Sequence, residues 1–249
     1  MSNLDFCILI VVFFLTSVLS VVTGSGSLIT VPAMISLGME PHVAVATNML
    51  ALTFMSIGGA LPFLRQRAIH RTYLLPSIVL TLIGSGLGAF LLVAVPIRAI
   101  RLTIAVAMIT VTIFTLWKKD LGLSTAETRV SRPAVIAGYI ATFLLAVYGG
   151  FFSGGYVTIL TAAFIVLFGM TFLQAVATTK VMNIFSSAIA TAVFLWQGIV
   201  NLRLGIILGA VMFLGALLGG QIALRLSAVW LRRIFVIAVL GLAVKMLWP

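Results

Sequence analysis

The chain alternates long apolar runs with short interruptions by charged, glycine or proline residues. Runs of about 20 residues recur along its whole length, and each is long enough to cross a hydrocarbon layer of roughly 30 Å as an α-helix. The boundaries between runs define ten segments, at residues 4–22, 28–37, 42–64, 72–95, 101–117, 134–152, 157–168, 172–196, 204–226 and 234–248. The pattern therefore predicts a polytopic helical membrane protein.

Two of the ten segments, 28–37 and 157–168, are much shorter than the rest. A straight helix of about 10 to 12 residues is only roughly 15 to 18 Å long, which is too short to span a bilayer alone. The predicted fold is thus all-α, with eight long segments and two short, broken ones. Whether the short segments cross fully or re-enter is left open by their length.

Composition agrees with this class: 63% of the residues are apolar and 8% are charged, with a mean hydropathy of +1.31. So few charges cannot cover a soluble protein of this size. The net charge is +11, and most of the basic residues lie in the short connections between segments, which is typical of cytoplasmic loops of membrane proteins. The expected partner is therefore the lipid bilayer and not nucleic acid.

Cys7 is the single cysteine, which excludes an intrachain disulfide. The first run follows no basic residue and is expected to be a mature membrane segment rather than a leader peptide.

The order of long and short segments occurs twice, and the sequence itself repeats. A shift of 131 residues aligns residues 38–117 with 169–248 without a gap, and 18 of the 80 aligned positions are identical. The densest match pairs Gly38-Met39 and the motif AVAT at 44–47 with Gly169-Met170 and AVAT at 175–178. The chain therefore divides into a first membrane repeat (1–117), a cytoplasmic linker (118–133) and a second membrane repeat (134–249).

The basic residues indicate how the repeats are oriented. If the short segments do not cross the membrane, Lys and Arg divide 8 to 5 between the two sides, whereas counting each as a crossing gives 10 to 3. The second count obeys the positive-inside rule better. It means five crossings per half, which makes the two five-segment repeats inverted, with loops 65–71 and 118–133 in the cytoplasm. A duplication with both halves in the same direction is the alternative.

Glycine and serine interrupt the chain just before each short segment. The first break contains Gly24, Ser25, Gly26 and Ser27; the second contains Ser153, Gly154 and Gly155. Such breaks free backbone N–H groups at the positive end of the following helix, which suits an anionic substrate. Non-helical backbone at membrane depth must be buried in protein or line a wet cavity. We expect the paired breaks to line one central cavity; a tight packing turn is the alternative.

The sequence from the break through Pro32 and Gly38 to AVAT, repeated in the second half, resembles the sulfite exporter TauE/SafE family of membrane permeases. The resemblance covers nearly the whole chain. It implies export or uptake of sulfite, sulfonates or other small organosulfur or organic anions across the bacterial inner membrane. Two departures, fewer glycines in the first break and Ala163 near the position equivalent to Pro32, bear on substrate choice.

Polar residues follow each AVAT motif inside a long segment. The candidates for substrate binding are Thr47 and Asn48 in the first repeat and Thr178, Thr179, Lys180 and Asn183 in the second. Lys180 lies about nine residues inside its segment, or roughly 12 Å deep. An ionisable residue at that depth is expensive and indicates a functional site. Its repeat equivalent is Met49, and the alternative is a lysine that snorkels to the interface.

These features favour a secondary transporter of small anions that works by alternating access, since inverted repeats with broken helices are typical of such proteins. An anion channel, or a membrane scaffold subunit without transport activity of its own, is compatible with the same pattern. The interior contains no paired Asp, Glu or His for acid–base chemistry, so no catalytic residues, cofactor or metal are predicted. Coupling to protons or sodium is possible, and the oligomeric state is undetermined.

Overall fold

The computed structural model describes residues 3–24, 26–65, 69–117 and 130–223, and these residues form α-helices without any strand. The helices are α1 (Asn3–Thr23), α2 (Ser27–Ser36), α3 (Pro41–Arg65), α4 (Leu74–Ala94), α5 (Ile97–Trp117), α6 (Arg132–Phe151), α7 (Tyr156–Phe168), α8 (Phe172–Trp196) and α9 (Leu202–Ala223). Each lies within a few residues of a predicted segment. The predicted tenth segment, 234–248, and most of the linker lie outside the described residues.

Six of these helices are long and apolar enough to cross a membrane, namely α1, α3, α4, α6, α8 and α9. The helices α2 and α7 are short, with 10 and 13 residues, as the lengths of their segments predict. The prediction of an all-α polytopic membrane protein with short helices between long ones is confirmed.

Apolar side chains cover the outside of the bundle, and its interior contains buried hydroxyls and amides among apolar side chains. On α1 the exposed residues Leu4, Ile8, Val11 and Leu15 recur at helical spacing. On the same helix, Thr16, Ser17 and Ser20 are buried. The outer surface is therefore suited to lipid, and polar side chains are placed away from it.

The two repeats exchange their helices rather than fold as separate bundles. Helix α1 packs along α9, and its repeat equivalent α6 packs along α4. Helices α3 and α8, the two AVAT helices, pack against each other in the centre. Helices of each repeat therefore pack mainly against helices of the other repeat.

Small residues permit these close crossings. A methyl group added to Gly84 on α4 would lie 2.8 Å from the Phe143 oxygen of α6, and one on Gly88 would collide with the Val147 oxygen. On α9, Gly215 and Gly219 abut the backbone of α1 in the same way. The two glycines of each pair are four residues apart, the spacing of the GxxxG motif, which allows membrane helices to approach closely.

Two equivalent hydrogen bonds tie the AVAT helices to the opposite repeat. Asn201 N donates to Thr47 Oγ1 over 3.0 Å, and His70 N donates to Thr178 Oγ1 over 3.2 Å. Residues 70 and 201, like 47 and 178, differ by the repeat shift of 131. Each threonine lies near the start of its helix and contacts the residues that follow the end of the other, so α3 and α8 run antiparallel. Inverted repeats require this arrangement; their orientation in the membrane stays a prediction.

Candidate functional site

Both predicted breaks interrupt the helical path. The first separates the end of α1 at Thr23 from α2, and Gly24 has a φ of +73°. The second separates α6 from α7, with φ values of +61° at Ser153 and +80° at Gly155. Gly24 and Gly155 are again 131 residues apart, so the repeat extends to the breaks. Both glycines adopt the left-handed conformation that L side chains disfavour.

The structure places each break against the first turn of the short helix of the other repeat. A methyl group added to Gly24 would lie 2.8 Å from Val157 Cγ1, in the first turn of α7. One added to Gly154 would lie 2.7 Å from Leu28 Cδ2, in the first turn of α2. Each break thus packs closely against the short helix of the other repeat. Ser25, also a predicted site residue, lies outside the described residues.

Several predicted site residues in the first repeat bond to one another. Asn48 on α3 accepts a hydrogen bond from Thr30 Oγ1 over 2.7 Å and donates one to Ser27 Oγ over 3.0 Å. Thr30 Oγ1 also donates to the Gly26 carbonyl, over 3.2 Å. All of these groups are buried. Asn48 therefore fastens the short helix α2 to the long helix α3.

The second repeat contains the equivalent contact. Thr161 Oγ1 on α7 lies 3.0 Å from Thr179 Oγ1 on α8, and these residues are the repeat equivalents of Thr30 and Asn48. The sequence analysis missed Thr30 and Thr161, although the same shift of 131 would have matched them. The contact holds each short helix to the AVAT helix of its own repeat.

Thr47 and Thr178, also predicted to bind substrate, point elsewhere. Their hydroxyls accept the backbone hydrogen bonds of Asn201 and His70 described above. They are therefore engaged with the loops that follow α8 and α3, rather than with the breaks. Their observed contacts are those between the two repeats.

Among the buried residues that the structure describes, Lys180 is the one lysine or arginine, and its relative exposure is 1%. Its Nζ donates to the Ser20 carbonyl over 3.0 Å, and its stem passes Gly59 on α3, where an added methyl group would lie 3.8 Å from Lys180 Cδ. The Ser20 carbonyl also accepts a hydrogen bond from Gly24 N over 2.9 Å. The amine thus reaches from the second repeat to the C-terminal end of α1, where the helix dipole favours positive charge.

No carboxylate of the described residues lies near this amine. Glu40 pairs with His42 at the start of α3 over 2.7 Å. Asp5 is at the opposite end of α1, fifteen residues before Ser20 and therefore roughly 22 Å away along the helix. A buried amine normally requires a counter-charge, because burial of an unpaired charge is costly. This site provides a carbonyl instead.

Asn183 lies on the same face of α8, three residues after Lys180. Its Nδ2 donates to Ser56 Oγ of α3 over 2.6 Å, whereas Asn183 Oδ1 and Ser20 Oγ are buried without a hydrogen-bond partner. The lysine cluster, which consists of Lys180, Asn183, Ser20 and Ser56, thus joins α1, α3 and α8 beside the first break. Sequence analysis identified Lys180 and Asn183, but nothing in a single sequence indicated that Ser20 would meet them.

The donors of the lysine cluster are suited to an anion. The amine and the serine hydroxyls are donors of hydrogen bonds, and hydrogen bonds from a charged donor are the strong ones. Among the described residues, no three His, Cys, Asp or Glu side chains come together to hold a metal ion.

Comparisons with known proteins agree with this architecture. The chain is 29% identical over 241 residues to a probable membrane transporter protein of Haemophilus influenzae, which covers 97% of this chain and 94% of that protein. It is also 29% identical to a probable membrane transporter protein (ORF9) of a Sinorhizobium species, with coverage of 99% and 95%, and 28% identical to the probable membrane transporter protein YfcA of Escherichia coli, with coverage of 97% and 89%. No solved structure matches the chain. The family model of the sulfite exporter TauE/SafE matches residues 9–246, and the chain therefore belongs to this family of membrane proteins.

Proposed function

We propose that this protein is a secondary transporter for small anions, such as sulfite, a sulfonate or a related organic anion, and that it works by alternating access in the bacterial inner membrane. The family description and the names of the relatives support a membrane permease. The anionic substrate is inferred from the interior of the bundle.

Lys180 is the observation on which the anionic substrate rests. A lysine in the centre of a membrane helix costs about 2.5 to 3.5 kcal/mol on insertion scales. Its amine is buried beside an amide and a serine, and the described carboxylates are remote. An anion that entered the lysine cluster would provide the missing counter-charge, and its oxygens would accept from Lys180 Nζ and Ser20 Oγ.

The paired breaks support alternating access. Each AVAT helix holds the short helix of its own repeat through Thr30 or Thr161, while each break packs against the short helix of the other repeat. The helices that pack across the repeats, α1 with α9 and α4 with α6, would move together, and the contact between Gly24 and Val157 would be exchanged for a contact with substrate. Rocking of one bundle of helices against another around a central site is the motion that such folds use.

Coupling by protons or sodium is consistent with the same interior. Asp5 and Glu40 lie near helix starts and Asp120 and Glu127 lie in the linker sequence, so no carboxylate relay crosses the described bundle. A proton would travel on Lys180 or on the anion itself, and a sodium ion would bind backbone carbonyls at the breaks.

The test is uptake of radiolabelled sulfite by proteoliposomes that contain the wild-type protein or Lys180→Met. The substitution copies the residue of the first repeat, so we expect it to insert and fold. Transport affinity should fall roughly ten-fold to a hundred-fold, because a hydrogen bond to a charged group contributes about 1.5 to 3 kcal/mol. Lys180→Arg should keep part of the activity, since the charge remains but the donor geometry changes.

The matched control is Met49→Leu, a conservative change at the equivalent position of the first repeat, which should leave uptake unchanged. Unaltered sulfite affinity in a folded Lys180→Met protein would show that the lysine merely caps α1. Acceleration of labelled uptake by unlabelled sulfite inside the vesicles is expected of a carrier, whereas a channel would not show it.

A further inference from the structure

A line of buried hydroxyls follows the contact between α4 and α8. Ser77, Thr81 and Ser85 recur every four residues on α4, and all three have a relative exposure of 0%. Thr81 contacts the Met182 sulfur of α8 at 3.7 Å, and Ser85 Oγ lies 2.7 Å from Ser186 Oγ of α8. We call Ser77, Thr81, Ser85, Ser186 and the neighbouring Tyr156 the hydroxyl seam.

One member of the hydroxyl seam lacks a hydrogen-bond partner, because Ser77 Oγ is buried and forms no hydrogen bond. The hydroxyl of Tyr156, at the start of α7, lies against Thr81 and Ser186. Hydroxyls that only join helices would be paired, as Ser85 is with the Ala146 carbonyl. A buried hydroxyl without a partner costs free energy, which a guest molecule in the seam would recover.

The seam runs alongside the lysine cluster. Ser186 lies three residues after Asn183 on α8, so the two side chains are neighbours on that helix. Asn183 Oδ1 is itself buried and unpaired, and Lys180 lies three residues before Asn183. The hydroxyl seam and the lysine cluster therefore meet at Asn183.

Stacked aromatic rings cover the end of the hydroxyl seam at Ser77. Tyr73 immediately precedes α4 and lies one turn before Ser77. Its ring stacks on His70 at a centroid distance of 5.2 Å and on Phe168, at the end of α7, at 4.5 Å. The rings close the seam on the side of loop 65–71, which the charge distribution assigns to the cytoplasm.

The equivalent contact in the other half, between α9 and α3, is apolar at the positions that match the seam residues of α4 and α8. The repeat equivalents of Ser77, Thr81, Ser85 and Ser186 are Leu208, Met212, Ala216 and Met55, all of which are buried. Phe168 corresponds to Leu37. The helix contacts of the two repeats are equivalent, but their side chains differ. Hydroxyls line the contact between α4 and α8, whereas hydrocarbon side chains occupy the matching positions between α9 and α3.

We propose that the hydroxyl seam is the cytoplasmic half of the permeation route. A small oxyanion, accompanied by water, passes between α4 and α8 and reaches Lys180 by way of Asn183, while the apolar counterpart forms the opposite, dry gate. Hydroxyls donate hydrogen bonds to the oxygens of an oxyanion without trapping it by charge, which favours passage over retention. The stacked rings of His70, Tyr73 and Phe168 close the entrance. This inference rests on the proposed transport function.

The test measures the rate at which an anionic thiol reagent, 2-sulfonatoethyl methanethiosulfonate, modifies single cysteines. Cys7 is exposed and is first replaced in a Cys7→Ser background. Thr81→Cys and Ser85→Cys are then compared with Met212→Cys and Ala216→Cys, their repeat equivalents, in proteoliposomes by intact-mass spectrometry. We expect the first pair to react at least about ten-fold faster, because a charged reagent enters apolar surroundings only at high cost.

The aromatic rings provide a second measurement. Phe168→Ala should accelerate modification of a cysteine at position 81, whereas Leu37→Ala, its repeat equivalent, should not. Methanesulfonate, which does not react with the reagent, should slow the reaction at position 85. Thermal unfolding of each variant confirms that it is folded before labelling.

The labelling result and the transport result are independent of each other, because modification of a cysteine does not require a transport cycle. Equal rates at the paired positions, or faster reaction at 212 and 216, in a protein that transports sulfite would overturn the seam but leave the proposed function intact. Faster labelling at 81 and 85 in a protein without sulfite flux would support the seam and reject the substrate.

Discussion

Lys180 and Met49 occupy equivalent positions in the two repeats, and both are buried. The position of the lysine within an apolar segment was enough to predict an unusual side chain at depth. Its partner was not predictable, because Ser20 is 160 residues earlier and belongs to the other repeat. Periodicity identifies which face of a helix is buried, but it does not identify the helix that covers that face.

The hydroxyl seam was visible in the sequence as a four-residue spacing of Ser77, Thr81 and Ser85 in an otherwise apolar helix. That spacing places all three on one face. The breaks and the AVAT motifs are the places where the two repeats agree. The seam lies where they differ, so comparing the repeats for differences as well as identities would have found it.

Tyr156→Phe distinguishes a transport role of the seam from a structural one. The Tyr156 hydroxyl lies against the Thr81 and Ser186 hydroxyls, and both of these have other hydrogen-bond partners, so its removal should leave thermal stability nearly unchanged. If it donates to the passing anion, sulfite uptake should slow by roughly two-fold to ten-fold, which corresponds to one neutral hydrogen bond of about 0.5 to 1.5 kcal/mol. Thermal unfolding and proteoliposome uptake measure the two effects. A drop in stability with unchanged uptake would make the hydroxyl structural.

At the level of elements, the helices themselves were largely predictable. Helix α8 has the bounds that its apolar run predicts, and Thr171 and Gln174 form a capping box at its start. Gly38 and Gly169, with φ values of +88° and +66°, lie between the short helices and the AVAT helices of both repeats. The pairing of α1 with α9 could not be predicted, since both surfaces are apolar with small residues and match several partners.

The close contact between α4 and α6 provides a test at this scale. A methyl group on Gly88 would collide with the Val147 carbonyl, whereas one on Gly86 would lie 3.7 Å from Ile189 Cγ1, an ordinary contact. Gly88→Ala should therefore lower the free energy of unfolding by about 1 to 3 kcal/mol through overpacking. Gly86→Ala is the matched control and should be neutral or slightly stabilising.

Thermal unfolding of both purified variants in the same detergent measures this difference. Equal melting temperatures for Gly88→Ala and Gly86→Ala would mean that α4 and α6 separate more easily than their contact indicates.

At the level of the whole molecule, inverted orientation makes equivalent loops face opposite sides of the membrane. Gln66 and Gln197 are matched residues that follow α3 and α8. In the Cys7→Ser background, Gln66→Cys should react with a membrane-impermeant maleimide only from the cytoplasmic side, and Gln197→Cys only from the other. Intact spheroplasts and inside-out vesicles provide the two sides. Labelling of both from one side would indicate repeats that run in the same direction.

The exchange of helices between repeats also constrains how the protein is made. Helix α1 leaves the ribosome long before α9, yet one surface of α1 is covered by α9. Until α9 is synthesised, the buried Ser17 of α1, which lies against Gly215 of α9, has no helix to shield it from lipid. Helix α1 must therefore remain in the translocon or bilayer without this partner while helices α2 to α8 are made, and this part of the interior assembles only after α9 has been inserted.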